Sequence, residues 1–249
     1  MIILSILFFI TSILYSSVGF GGGSTYLALL LIWDVPYYIF PVIALFCNII
    51  VVTGNSINYV RTGNHNLKSL IPFIIGSIPS AFVGGTLIIE KEIFEILLFL
   101  VLSVAGILLL INIKAYEDKK IIIKKLNYFV SILIGSFLGL ISGLIGIGGG
   151  IFLSPILFLL KADKPKNIIT TASLFILLNS IFGIFGQLTK DNIINELSSY
   201  LPLFLVVLIG GLIGNYLNIK IFSNRTLTLI TSLLVILVAF RMGLKLFYN

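Results

Sequence analysis

The sequence predicts an all-α, polytopic membrane protein, and three observations support that class. Of its 249 residues, 59% are hydrophobic and only 10% are charged, and the mean hydropathy of +1.19 is far above what a soluble core needs. Apolar runs long enough to cross a bilayer as a helix recur along the whole chain. These runs do not alternate in polarity, as the strands of a membrane barrel would, so we expect helices throughout.

About eight hydrophobic helical segments follow one another along the chain, and glycines interrupt the first and the fifth. The segments cover approximately residues 2–33, 38–60, 67–89, 93–113, 126–160, 168–188, 200–219 and 227–247. We interpret residues 1–113 as a first membrane repeat, residues 114–125 as a charged linker, and residues 126–249 as a second membrane repeat. Together they form one integral membrane domain.

The two sets of four segments align, which predicts an internal duplication. Four glycines of the first half have counterparts 127 residues later in the chain. They are Gly19, Gly21, Gly22 and Gly23, and they correspond in that order to Gly146, Gly148, Gly149 and Gly150. Further along, the offset becomes 130, as for Pro72 and Pro202. One insertion of three residues near KADKPK at residues 161–166, between the fifth and sixth segments, accounts for the change of offset.

The Lys and Arg residues indicate how the halves lie in the membrane, because basic loops stay cytoplasmic. If each broken segment crosses once, the linker side holds ten Lys and Arg residues against six. If each broken segment enters and returns to the same side, the ratio is twelve to four. We therefore favour inverted halves with both termini opposite the linker, the usual plan of secondary transporters. A single crossing stays open, because residues 2–18 are long for one arm of a re-entrant loop.

The stretch GFGGGS at residues 19–24 and its near copy GIGGGI at residues 146–151 interrupt helices with glycine. In hydrocarbon an unpaired backbone amide costs several kcal/mol, so broken helix is tolerated only where it is buried in protein or borders a polar cavity. Glycines let a ligand reach the backbone, and successive amides beside a helix N-terminus attract anions. We expect the two loops to share one small anion near the midplane. Close helix packing, which GLISGLIG at residues 139–146 offers, is the alternative interpretation.

Amide side chains inside the spans extend this candidate site. Asn48 and Asn179 occupy nearly matching positions in the two halves, and intramembrane amides are expensive unless they meet a partner or a substrate. Hydrogen bonding between helices explains them equally well. The complete set of candidate substrate-binding residues is Gly19, Gly21, Gly22, Gly23, Ser24, Asn48, Gly146, Gly148, Gly149, Gly150 and Asn179.

Other function classes find little support in the sequence. The single histidine, His65, lies in a predicted loop, so we expect neither a metal centre nor a cofactor. No catalytic motif is present, so we do not expect an enzyme. The net charge of +7 is scattered over short loops, which does not indicate nucleic-acid binding. Cys47 lies in an apolar run and is expected to be a buried thiol.

The glycine segments resemble the signature of the sulfite exporter TauE/SafE family, also called the 4-toluene sulfonate uptake permease family. In that family the pattern G-x-x-G-x-G-G-G, followed by a proline, marks the first segment of each half. The second half fits the pattern fully, with Gly143, Gly146, Gly148, Gly149, Gly150 and Pro155. The first half departs from it, because Ser16 replaces the leading glycine and Ala28 stands in the place of the proline. The resemblance therefore does not imply that the two loops contribute equally to substrate binding.

The resemblance extends over essentially the whole chain and implies a multi-pass permease of the bacterial inner membrane. The implied substrates are small sulfur-containing anions, sulfite or organosulfonates. We therefore predict a secondary transporter in which one repeat rocks against the other. The alternative is a non-transporting membrane assembly protein whose glycines only pack helices. The expected partners are the small anion and the lipid bilayer, and the sequence leaves a homo-oligomer open.

Overall fold

The computed structural model is helical. It describes residues 1–33, 35–63, 66–111, 123–124, 126–190 and 193–218, together with residues 233, 236, 239–240 and 243–244. Within these ranges no residue lies in a strand, which confirms the all-α prediction. Five of the described helices are long and apolar enough to cross a membrane. Most of the predicted linker and of the eighth segment lies outside the described residues.

The described part of the first half contains five helices and a short 3₁₀ turn at Tyr37–Ile39. In chain order the helices are α1 (Ile2–Val18), α2 (Gly23–Ile32), α3 (Phe40–Arg61), α4 (Leu67–Thr86) and α5 (Lys91–Ile111). The described part of the second half contains α6 (Tyr128–Ile145), α7 (Gly150–Leu159), α8 (Pro165–Gln187), the short α9 (Ile193–Leu197), a 3₁₀ turn at Ser198–Tyr200, and α10 (Leu201–Asn218).

The helix boundaries follow from local sequence. α1 ends where Gly19 adopts a left-handed backbone with φ 86°, and α6 ends in the same way at Gly146 with φ 94°. α8 begins with Pro165, whose missing N–H is not needed in a first turn. Asn66 caps α4 by accepting a hydrogen bond from the Ser69 N–H. These signals place both helix breaks at the glycines that the sequence singled out.

The two halves exchange their helices. α1 of the first half packs along α10 of the second, and α6 of the second half packs along α4 of the first. α3 and α8 pack against each other between these pairs. Because each half completes its packing with helices of the other, the described helices form one unit with a shared core.

Small residues bring the exchanged helices close together. A side-chain carbon added at Gly135, Gly139 or Gly143 of α6 would collide with the α4 backbone, at Phe73, Ser77 and Ala81 respectively. Gly210 and Gly214 of α10 approach the α1 backbone in the same manner. Such close approach is the usual way that membrane helices gain van der Waals contact. The stretch at residues 139–146 therefore serves helix packing, up to the point where α6 ends.

A buried carboxylate joins the beginnings of α4 and α8. Asp163 is only 6% exposed, and its oxygens accept hydrogen bonds from Asn66 Nδ2 at 2.7 Å, Asn167 Nδ2 at 2.9 Å and the Lys164 backbone N–H at 2.7 Å. Asn66 belongs to the first half and Asp163 to the second, so this network links the halves at one end of the bundle.

Candidate functional site

Two glycine loops connect the broken helices. The first glycine loop, residues 19–22, joins α1 to α2, and the second glycine loop, residues 146–149, joins α6 to α7. Gly22 and Gly149 precede the short helices with φ +85° and +74°, a left-handed conformation that residues with a side chain rarely adopt. All residues of both loops are buried. Glycine is thus required by the backbone itself at matching places in the two halves.

The loops approach α3 from opposite ends. Gly19 lies beside Tyr59, near the end of α3, where an added Cβ would be 3.0 Å from Tyr59 Cε2. Gly146 lies beside Pro41, at the start of α3, where an added Cβ would be 2.5 Å from Pro41 Cα. Both loops then run toward the middle of this helix, and a Cβ on Gly23 would be 2.7 Å from the Ile147 carbonyl oxygen. The two breaks therefore meet inside the bundle.

Asn48 lies at the meeting point. The residue is 0% exposed, and its Nδ2 donates to the Ile147 carbonyl oxygen at 3.2 Å. A Cβ on Gly21 would collide with its side-chain oxygen, and a Cβ on Gly148 would lie 2.7 Å from Nδ2. Within the described part of the chain, Asn48 Oδ1 has no hydrogen-bond partner. The Asn48 carboxamide thus borders both glycine loops, and its oxygen can still accept a hydrogen bond.

The loops carry backbone N–H groups with unused donor capacity. Among the described residues, no acceptor is paired with the N–H groups of Gly21, Gly22 and Gly23, or of Gly148 and Gly149. These amides sit at the N-termini of α2 and α7, where a helix carries partial positive charge. N–H donors at a helix N-terminus suit an anion.

A serine of α8 completes the polar surroundings. Ser180 is 0% exposed, and its hydroxyl oxygen would lie 3.3 Å from a Cβ placed on Gly148. In the described structure this hydroxyl has no hydrogen-bond partner. Asn48 and Ser180 therefore flank the same glycine from α3 and α8. The unpaired Ser180 hydroxyl can donate a hydrogen bond to an anion, whereas the unpaired Asn48 Oδ1 can only accept one.

Two of the predicted residues make other contacts. Asn179 donates from Nδ2 to Ser77 Oγ at 3.1 Å and to the Phe175 carbonyl at 2.8 Å, so it bonds α8 to α4. The Ser24 hydroxyl lies 3.3 Å from the Tyr15 hydroxyl, which is also 2.7 Å from Thr25 Oγ1. These bonds fix the start of α2 against α1. The structure thus brings Asn48 together with both loops, and it places Asn179 at a helix contact.

Helical spacing could have identified Ser180 from the sequence. Ser173 and Ser180 are seven residues apart, so they share a helix face. Ser173 faces α3, where its Oγ lies 3.1 Å from Ser56 Oγ. The residue preceding Ser180 is turned by about 100° around the helix axis, toward α4. Alignment of the halves pairs Asn179 with Asn48 instead, because an alignment does not report which face of α8 a residue occupies.

A lysine stands at the end of α8. Lys190 donates from Nζ to Gln187 Oε1 at 2.9 Å, and Gln187 Nε2 donates to the Gly143 carbonyl at 2.7 Å. Partial burial lowers the Lys190 pKa to about 8. The ammonium therefore still carries its charge at neutral pH. Gln187 satisfies a carbonyl near the end of α6, three residues before the second glycine loop.

Comparison with known sequences decides the family. Residues 4–242 match the family described as sulfite exporter TauE/SafE. The chain belongs to the sulfite exporter TauE/SafE family. This confirms the resemblance carried by the two glycine segments, and the chain is a multi-pass membrane protein of a transporter family.

Relatives of this TauE/SafE chain are named as transporters without a substrate. It is 27% identical to the "Probable membrane transporter protein y4hK" of Sinorhizobium fredii over 98% of this chain and 97% of that protein. It is 25% identical to "Probable membrane transporter protein YunE" of Bacillus subtilis over 100% of this chain and 97% of that one. It is 30% identical to "Probable membrane transporter protein MJ0441" of Methanocaldococcus jannaschii over 88% and 85%. No solved structure matches the chain.

Proposed function

We propose that this protein is a secondary transporter that binds one small oxyanion between its two glycine loops. The meeting of both loops at Asn48 carries this proposal, because unpaired N–H groups from two helix N-termini lie around one buried side chain. Such donors stabilise negative charge without a basic residue at the site. The proposed site therefore consists of both loops, Asn48 and Ser180.

Sulfite or an organosulfonate is the proposed substrate class. The three oxygen atoms on the sulfur of either anion can accept hydrogen bonds from several directions, as donors from two loops require. The name of the family, sulfite exporter, supports the same class. Chloride would fit the charge of the loops but offers no oxygen atoms for directed hydrogen bonds.

Alternating access is the proposed mechanism, with the halves in inverted orientation. Phe8 of α1 contacts Tyr26 of α2 with ring centroids 4.7 Å apart, which supports α2 folding back along α1. Gly149 and the α6 residue Leu138 lie close in the same way, with an added Cβ 3.4 Å from the Leu138 oxygen. The approach of the loops to α3 from opposite ends also favours inverted repeats. Rocking of one half would then expose the shared site to either side of the membrane.

A non-transporting assembly protein is the second candidate function. The close packing of α4 on α6 through Gly135, Gly139 and Gly143 favours it, because these glycines already serve packing. That interpretation accounts for the close approach of Gly21 and Gly23 to Asn48, but it does not account for the unpaired backbone N–H groups of Gly21 to Gly23.

Anion uptake into proteoliposomes tests the proposal with a matched pair of variants. Gly148→Ala and Gly63→Ala both introduce a side chain at positive φ, +85° and +70°. At Gly148 the new Cβ lies 2.7 Å from Asn48 Nδ2, whereas at Gly63 it meets nothing within 4 Å. We expect Gly148→Ala to reduce the rate of radiolabelled sulfite transport about tenfold or more, a loss equivalent to about 1.4 kcal/mol. Gly63→Ala should transport normally.

Equal transport by the two variants would contradict the proposed site. Absence of transport of every sulfur oxyanion by the wild-type protein in either direction would instead favour the assembly protein.

A further inference from the structure

One face of α8 carries polar residues from the second glycine loop to the end of the helix. Three of its residues are Ser180, Gly183 and Gln187, which follow one another at spacings of three or four residues and so lie on the same side of the helix. Lys190 lies just beyond the end of α8 and joins this side through its hydrogen bond to Gln187. We call this the access face. Ser180 lies beside Gly148, and Gln187 bonds to Gly143, so the access face follows the end of α6 and the second glycine loop.

The polarity of the access face is costly in a membrane helix. Ser180 and Gln187 are each 0% exposed, although they lie in a helix that is apolar enough to cross a bilayer. Polar side chains at such positions generally face a partner or a water-filled cavity. The Gln187 amide bonds the Gly143 carbonyl, but the Ser180 hydroxyl has no partner among the described residues. Packing alone therefore does not account for Ser180.

A glycine brings α3 and α6 close to α8 between these two residues. Gly183 lies between Ser180 and Gln187 on the access face, and its nearest neighbours would be Leu45 and Gly143, 3.2 and 3.3 Å from an added Cβ. Three helices meet here without a large side chain on α8 or α6. A small separation of α8 from α6 would join Gln187 to Ser180, which lie about 10 Å apart along the helix.

Lys190 places a positive charge at the outer end of the access face. Its ammonium is half-buried, and it bonds the neutral Gln187 side chain, so this contact leaves the charge uncompensated. A cation at the mouth of a low-dielectric passage raises the local concentration of anions and their rate of arrival. Gln187 holds that cation close to the backbone that leads into the second glycine loop.

We propose that the access face of α8 is a water-accessible path to the second glycine loop, and that Lys190 draws small oxyanions into it. This inference rests on the proposed function, since it supplies the route to the proposed site. Lys190 acts here as a recruiting residue, at a distance from the bound anion. The first glycine loop would be reached from the opposite end of the bundle.

Cysteine labelling in intact membranes tests the path without any transport assay. Cys47 is the single cysteine of the chain and is buried, so Cys47→Ala gives a background for introduced thiols. Ser180→Cys and Gln187→Cys place thiols on the access face, and Phe185→Cys places one on the membrane-facing side, where Phe185 is 55% exposed. The probes are an anionic and a cationic methanethiosulfonate of similar size. We expect both charged reagents to label positions 180 and 187 at least tenfold faster than position 185.

Replacement of Lys190 tests its role in the same assay. Lys190→Gln should slow the anionic reagent at Ser180→Cys about tenfold relative to the cationic reagent, because the attracting charge is lost. Lys190→Arg keeps the charge and should leave the ratio of the two rates unchanged. Ser180→Cys is nearly isosteric, so it provides a readout even if Gln187→Cys disturbs the end of α6.

Two results would overturn the inference. One is labelling of Ser180→Cys as slow as that of Phe185→Cys, and the other is a rate ratio that Lys190→Gln does not change. If labelling fails while sulfite still stabilises the protein, the path is wrong and the glycine-loop site stands. If labelling succeeds but no oxyanion binds, the path stands and the proposed substrate class is wrong.

Discussion

At the scale of single residues, the chemistry of the site depends on one carboxamide and on bare backbone. Asn48 touches both glycine loops and donates to the Ile147 carbonyl. Side chains at Gly21 or Gly148 would occupy the space next to it. The glycines are therefore needed for two separate reasons: positive φ at some positions, and close approach to Asn48 at others.

The two buried amides should respond differently to truncation. Asn48→Ala removes a group beside both loops, so we expect the increase in melting temperature caused by a bound oxyanion to fall below half. Asn179→Ala removes the bonds to Ser77 and Phe175, so the melting temperature should fall by an amount equivalent to about 1 kcal/mol. The anion-induced increase should survive in Asn179→Ala. Thermal unfolding of both detergent-purified variants, with and without sulfite, makes the comparison.

The opposite pattern would assign the site to the other amide. If Asn179→Ala abolishes the anion effect and Asn48→Ala preserves it, Asn48 is a packing residue and the meeting of the loops has no binding role.

At the scale of elements, packing and binding use different glycines. Gly135, Gly139 and Gly143 press α6 against the backbone of α4, whereas Gly146, Gly148 and Gly149 follow in the loop. The same helix therefore first packs tightly and then ends beside a polar centre. A rigid α4–α6 pair would hold the second glycine loop in place while other contacts change.

The carboxylate at the start of α8 should contribute strongly to stability. Asp163 accepts three hydrogen bonds and joins α8 to the cap of α4. Asp163→Ala leaves Asn66 and Asn167 without their acceptor, so we expect the free energy of unfolding to fall by about 2 to 3 kcal/mol. Lys164→Ala, which keeps the backbone N–H donor and truncates an exposed side chain, should change it little. Denaturant or thermal unfolding measures the difference, and equal effects of the two substitutions would show that the network is not stabilising.

At the scale of the whole molecule, the exchange of helices makes the halves interdependent. α1 completes the packing of α10, and α6 completes that of α4. The proposed inverted arrangement corresponds to the twelve-to-four distribution of basic residues and predicts that both termini lie opposite the linker. We expect reporters that are active only in the cytoplasm to be silent when fused to either terminus and active when inserted at residues 114–125. Active reporters at either terminus would contradict the inverted arrangement.

Helix class, helix breaks and the glycine loops were all predictable, because hydropathy and glycine clusters act through local backbone physics. The exchange of α1 and α6 between the halves was not predictable from the sequence. Small residues such as Gly139 and Gly210 indicate close packing, but they do not identify the partner helix. The sequence indicates Asn48 because an amide in hydrocarbon is costly. Asn179 shares that property, yet the position of the residue around α8 directs it to Ser77, and Ser180 faces the loop instead. Alignment of the repeats therefore predicts how far along a helix a residue lies more reliably than which face of the helix it occupies.

Equilibrium binding of oxyanions to the purified protein tests whether the glycine loops bind an anion. The panel consists of sulfite, sulfate, thiosulfate, taurine, sulfoacetate and chloride, with thermal stability as the readout, because a ligand of the folded state stabilises it by about 3 kcal/mol at a hundredfold excess over Kd. We expect a sulfur oxyanion to raise the melting temperature, chloride to leave it unchanged, and Gly149→Val to abolish the effect of the oxyanion. No stabilisation by any of the oxyanions, or an undiminished effect in Gly149→Val, would contradict anion binding at the glycine loops.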